Sequence, residues 1–200
     1  MYTIVGLGNP GSEYARTRHN AGRLLVESFA EEAHIELKEQ KKPAHRVGTG
    51  EFLRERVRLV LPDTYMNTSG TAVSKYVKSV GTAKKLVLIY DDIDLPFGVV
   101  RVSFGSSSGG HNGVKSVERG VKTKNFIKIR IGVSKKARGK AKKPVGDDAV
   151  VDYLMASFTK KELELLMGAV RERAVLALDA IFETRDPVMG MNAVNGLPPI

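Results

Sequence analysis

Apolar and polar residues switch between two periods along this chain, and the switches outline its elements. Tyr2-Thr3-Ile4-Val5 is a short apolar strand. From Ala21 to Leu37, Leu24, Leu25, Phe29 and Ala33 fall at helical spacing on one side. The stretch from Phe52 to Leu61 partly alternates, which predicts a strand exposed on one face. Between Asn67 and Val80, Ala72, Val73, Tyr76 and Val80 predict a helix with one inward side. Leu86 to Tyr90 is unbroken apolar sequence, the pattern of a strand covered on both faces in the middle of a sheet. Val99 to Phe104 predicts another strand, Asn112 to Gly120 a short helix, and Phe126 to Val133 a strongly alternating strand. Ser157 to Glu183 reads as one long helix, opened by Ser157 or Thr159 with Glu162 in its first turn.

Strands and helices interleave, so the expected class is α/β: one domain over residues 1–200, with a mixed, mostly parallel twisted sheet flanked by helices. Two long loops are expected. Residues 105–113 are rich in Gly and Ser. Residues 134–148 carry Lys135, Lys136, Arg138, Lys140, Lys142 and Lys143, then Asp147 and Asp148, and are expected to be mobile in isolation. From about Arg185 the tail holds Pro187, Pro198 and Pro199 and is expected to be irregular.

Composition narrows the function classes. There is no cysteine, so disulfides and thiolate metal sites are excluded and a cytoplasmic setting fits. No apolar run reaches the ~18–20 residues of a membrane span, and the first residues read as a strand and not as a signal peptide. The net charge of +10 favours a polyanionic partner, chiefly nucleic acid.

Two motifs tempt and fail. Gly6-Leu7-Gly8-Asn9-Pro10-Gly11 has the dinucleotide spacing, but Pro10 turns Asn9 away from helical backbone and the helical pattern starts only near residue 20. Gly105-Ser106-Ser107-Ser108-Gly109 has the nucleophile-elbow spacing. The histidine after it, His111, follows too closely to be a triad partner on a later loop.

A different set survives. Asn9, Asn67, Asp91, His111 and Asn112 follow predicted strands, and His19 and Asn20 close the loop that leaves the first one. Sites in open α/β sheets lie beyond the carboxyl ends of strands. Imidazole, carboxylate and amides, with neither thiol nor metal cluster, suit hydrolysis by an activated water without a cofactor. The imidazole takes the proton, a carboxylate on its other nitrogen orients it, and amides hold water and carbonyl. Asp91 and Asp92 both remain open as the partner of His19.

These residues stand in longer motifs. Val5-Gly6-Leu7-Gly8-Asn9-Pro10-Gly11 with Tyr14 and Thr17-Arg18-His19-Asn20-Ala21-Gly22 resembles the opening signature of bacterial-type peptidyl-tRNA hydrolases. Tyr65-Met66-Asn67-Thr68-Ser69-Gly70, Asp91-Asp92-Ile93-Asp94-Leu95-Pro96-Phe97-Gly98 and Gly109-Gly110-His111-Asn112-Gly113 resemble three further motifs of that family, in order. The resemblance implies a metal-independent esterase that cuts the bond between a peptide and the 3′-terminal ribose of tRNA; oligomeric state is open in the sequence, with a monomer as the default expectation. His19 would be the general base, Asp91 would orient it, and Asn9 and Asn67 would place substrate and water. Tyr14, Tyr65, Met66, His111 and Asn112 would shape or contact the substrate cleft. Arg101, Lys115, Arg130 and Lys142 are the cations expected to meet tRNA phosphates. The chain departs from the family pattern at Tyr90, at Ser106-Ser107-Ser108, and from Ser134 to Arg138. An esterase for another carrier RNA and a non-catalytic basic RNA-binding protein stay open as alternatives.

Overall fold

The computed structural model describes residues 1–137 and 140–200; Arg138, one of the expected loop cations, lies outside the described residues. An eight-stranded sheet runs β2 (Lys38–Lys41), β3 (Ala44–Phe52), β4 (Glu55–Pro62), β1 (Tyr2–Gly6), β5 (Leu86–Pro96), β7 (Ile127–Ala137), β6 (Val100–Phe104), with β8 (Lys140–Lys142) paired to the far end of β7. The central strands β4, β1, β5 and β7 are parallel, and the outer pairs are antiparallel.

Alternate residues of the central strands divide between two cores. Ile4, Val87 and Ile89 point to one face, under α1 (Ala21–Glu32) and α7 (Arg171–Thr184). Val5, Leu86, Leu88 and Tyr90 point to the other, under α2 (Gly70–Val73) and α4 (Asn112–Val121). Burial on both faces explains why β5 begins as an unbroken apolar run, as its sequence predicts.

Helix α1 approaches the sheet closely at one point. A Cβ on Gly22 would stand 2.0 Å from the Ile89 carbonyl oxygen, so only glycine lets the start of α1 lie against the end of β5. That contact carries the turn Arg18–Asn20 up to Asp91.

Several expectations need correction. The helix predicted from Asn67 to Val80 is broken into α2 and α3 (Val80–Ala83). The hydroxyls of Thr68, Ser69, Thr71 and Ser74 each donate to the carbonyl three residues back, and Ser79 with Thr82 builds a fresh capping box. Helix α1 stops at Glu32 because His34 takes left-handed backbone, φ 52°. The strand expected from Phe52 is β4 from Glu55. Leu53 and Arg54, both at positive φ, turn the chain back from β3, a turn made without the usual Asn or Gly. His45 is a fully buried residue of β3, bonded to Tyr76 Oη at 2.6 Å. Residues 134–148 are not one loop: β7 runs on to Ala137, pairs with β8, and α5 (Asp147–Met155) follows with Asp147 and Asp148 at its positive end. The long C-terminal helix is capped by Thr159 and divides into α6 (Lys160–Leu165) and α7 across a bend at Gly168. The tail forms α8 (Pro187–Val194). Asp186 caps it and Pro187 occupies the first turn, where a missing N–H costs nothing. The Asn195 side chain then accepts from Val102 N at 2.8 Å and donates to Val102 O at 2.9 Å, closing the β6 edge.

Candidate active site

The loop leaving β1 is held by an amide. Asn20 Oδ1 accepts from Asn9 N at 2.8 Å, and Asn20 Nδ2 donates to Asn9 O at 3.0 Å. Asn9 in turn uses its side-chain oxygen to accept from Met66 N at 2.9 Å, which ties the β1 loop to the β4 loop. Its amide nitrogen is left for the cleft. Arg23 reinforces the same junction, donating to Pro62 O at 2.8 Å and pairing with Asp63 at 2.5 Å. The sequence placed Asn20 in the strand-end set without a role of its own and did not single out Arg23.

At the end of β5, Asp91 meets two imidazoles. His19 Nδ1 lies 3.0 Å from both Asp91 carboxylate oxygens, and His111 Nε2 lies 3.0 Å from Oδ1. The side chain of Asp91 is 1% exposed and that of His19 10%. Burial disfavours the His19 imidazolium, but the charge and hydrogen bond of Asp91 outweigh it, so His19 holds its proton above the ordinary histidine value. Burial also works against the Asp91 anion, yet the two imidazoles keep its carboxyl well below the usual range. Asp92, the open alternative, turns away: its carboxylate is bonded to Arg130 Nε at 2.6 Å. The neighbouring Tyr90 packs edge-on against His111 with centroids 5.0 Å apart, and burial pushes its hydroxyl far up.

These groups open into a cleft of about 870 Å³. Asn9, His19, Tyr65, Met66, Asn67, Asp91, His111 and Asn112 all line it. Asn67 and Asn112 are exposed there, and no side-chain bond engages their amides among the described residues. Tyr14 is not in the lining; it sits half-buried in the turn Ser12–Tyr14. The far wall was not anticipated. It comes from residues 143–147 and from Val150, Val151, Leu154 and Met155, with Lys143 paired to Asp94 at 2.6 Å. Of the expected phosphate contacts, Lys115 and Lys142 are exposed, and Arg101 stands opposite Arg130 in the antiparallel register of β6 and β7. Arg101 Nη1 is buried without a hydrogen-bond partner among the described residues.

His19, Asp91 and His111 have the composition of a two-histidine, one-carboxylate metal site. The hydrogen bonds argue otherwise. His111 Nδ1 accepts from Gly113 N and Val114 N, so its proton is on Nε2 and points at Asp91. His19 Nδ1 likewise needs its proton to bond the carboxylate. Two N–H groups, and no nitrogen lone pair, converge on Asp91, which does not suit a cation.

A family profile described as peptidyl-tRNA hydrolase matches residues 3–198. The peptidyl-tRNA hydrolase of Syntrophotalea carbinolica is 38% identical over 196 residues, 98% of this chain and 97% of that protein. The one from Bacillus subtilis is 41% identical over 181 residues, 90% of this chain and 91% of that protein. The crystal structure of peptidyl-tRNA hydrolase from Acinetobacter baumannii superposes with a TM-score of 0.85 at 34% identity, covering 100% of this chain and 97% of that one.

Proposed function

Because the chain belongs to the peptidyl-tRNA hydrolase family, we propose that it hydrolyses the ester between a peptide and the 3′-terminal ribose of tRNA, with His19 as general base. The observation that carries this assignment is the buried His19–Asp91 pair at 3.0 Å, at the floor of a cleft lined by amides. With Nδ1 committed to Asp91, His19 Nε2 is the free basic nitrogen. It takes a proton from water as the water oxygen attacks the ester carbonyl. Asp91 holds the ring and stabilises the imidazolium. The amide nitrogen of Asn9, its oxygen already engaged by Met66 N, donates to the carbonyl oxygen as charge develops there. Collapse of the tetrahedral intermediate breaks the bond to the ribose oxygen, which leaves with the proton from His19. Free peptide carboxylate and tRNA result. Asn67 and Asn112 suit recognition of the peptide backbone, which every stranded peptide shares.

The tRNA side follows from charge. Arg101 and Arg130 stand opposite one another across β6 and β7 and offer a pair of cations to the RNA backbone. Lys115 and Lys142 are exposed and add to the cations available to phosphates. No helix among the described residues is long and apolar enough to cross a membrane, and we place the protein in the cytoplasm as a monomer.

Release of tRNA from N-acetyl-aminoacyl-tRNA in excess EDTA, by wild type and His19→Ala, tests the reading. Wild-type turnover that disappears in the variant, with tRNA affinity kept, is the expected result. An inactive wild type that still binds tRNA would leave an RNA-binding protein.

A further inference from the structure

His111 stands where a helix cap meets an acid–base pair. Its Nδ1 accepts from Gly113 N at 3.1 Å and Val114 N at 3.3 Å, free amides at the start of α4. A proton on that nitrogen would face two N–H groups, so the ring carries its hydrogen on Nε2. The side chain is 7% exposed, and Tyr90 packs edge-on against it. The ring cannot swing out without losing the cap. Asp91 Oδ1 therefore receives an N–H from each imidazole, 3.0 Å away in both cases, and Oδ2 serves His19 alone.

We propose that His111 is a positioning residue: its helix-locked tautomer divides the Asp91 carboxylate between two donors and so limits how strongly Asp91 retains a proton on His19. A carboxylate that gave His19 all of its charge would hold the imidazolium so firmly that the base stayed protonated at neutral pH. A second N–H donor on one oxygen draws on part of that charge and leaves the orientation intact. The other charged groups around the pair are engaged elsewhere. Asp92, next on β5, is bonded to Arg130 of β7; Asp94 is bonded to Lys143 after β8. Arg18, beside His19 in the chain, is bonded to Glu162 of α6, and the Tyr90 hydroxyl is kept protonated by burial. Asp91 and His111 are thus the groups that set the basicity of His19. The inference rests on His19 being the base.

His111→Asn separates cap from partner. Asparagine is among the best helix caps, but its side chain is too short to span from the cap to Asp91. The acidic limb of the kcat/KM profile is expected to move to higher pH by about half to one unit. Near pH ~6 the variant then falls roughly three- to tenfold further behind wild type than at its alkaline plateau. The position of the limb is the readout, whatever the height of the plateau. A merely structural role would lower the plateau and leave the limb in place; an unmoved limb, or one moved to lower pH, overturns the proposal. His111→Gln, whose longer amide can again offer an N–H to Asp91, is expected to return the limb toward wild type. In the unsubstituted protein, ¹⁵N–¹H correlation spectra of the imidazoles test the lock directly. Above the acidic limb His111 should show its proton on Nε2 and a bare Nδ1, and a His111 that carries its proton on Nδ1 there overturns the proposal even if neither variant folds. Full activity in His19→Ala would instead overturn the base assignment, so the two failures are told apart.

Discussion

The two walls of the cleft are built differently. On one, Asn9, His19 and Asp91 are buried; Asn9 and Asp91 each bond to more than one element of the fold, and His19 is held by both carboxylate oxygens of Asp91. On the other, Val145 is 94% and Val151 53% exposed, and α5 buries no residue at all. The first wall sits on the carboxyl ends of β1 and β5, the middle of the sheet. The second hangs from a three-residue edge strand and a short helix. Chemistry needs groups held to a fraction of an ångström. A surface that meets many peptide sequences and a large RNA gains from being adaptable. Local stability follows the same division, since segments with little buried area open most readily.

The largest effect on the rigid wall is expected from Asp91→Asn, with a loss of about 10²–10⁴-fold in kcat. Asp92→Asn should cost much less, because its carboxylate serves Arg130 and not His19. Equal losses in single-turnover rates would erase the distinction between the two. Asn20→Ala comes next. It removes both bonds that hold the Asn9 backbone, at about 1–3 kcal/mol of stability for buried groups left unpaired. It should lower kcat more than it raises KM, since Asn9 is placed by it; a pure KM effect would move Asn9 to the adaptable side.

The pH profile sharpens the contrast further. The His19 proton is held above the ordinary histidine value of 6.5, so kcat/KM should rise with pH through an apparent pKa above that value. The sign for stability is opposite. A raised histidine stabilises the fold at low pH, and that contribution is lost as pH rises through the folded-state value. Depressed Asp91 acts the other way, stabilising at neutral pH and losing its contribution as acid protonates it. An acidic limb at or below 6.5 would contradict the pairing.

The smallest effect belongs to the exposed wall. Lys142→Ala should weaken tRNA binding only a few-fold, and reduce the slope of log affinity against log salt by ~0.7–0.9 if one phosphate contact is lost. A slope unchanged in titrations from low to moderate salt would remove Lys142 from the RNA surface.

Much of this was legible in the chain before any coordinates. The unbroken run Leu86–Tyr90 announced a central strand because both of its faces are covered. The amide, imidazole and carboxylate residues at strand ends announced a hydrolytic site because their types serve one chemistry. Local patterning gave less where side chains compete with the backbone: hydroxyls at 68, 69, 71 and 74 broke a helix whose apolar spacing looked sound. It also misled in the tail, where Pro187 marks a helix start and not a break.

By itself the sequence determined the α/β class, the family and a set of candidate site residues, because apolar period and motif order are local properties of the chain. Only the tertiary structure decided that Asp91 and not Asp92 meets His19, and that His111 shares the same carboxylate. It also decided that Asn20 holds Asn9 and that Tyr14 stays outside the cleft. Those pairings join residues far apart in the chain. Neighbouring residues on a strand point to opposite faces, and which face meets the imidazole is fixed by how α1 packs on β5 through Gly22.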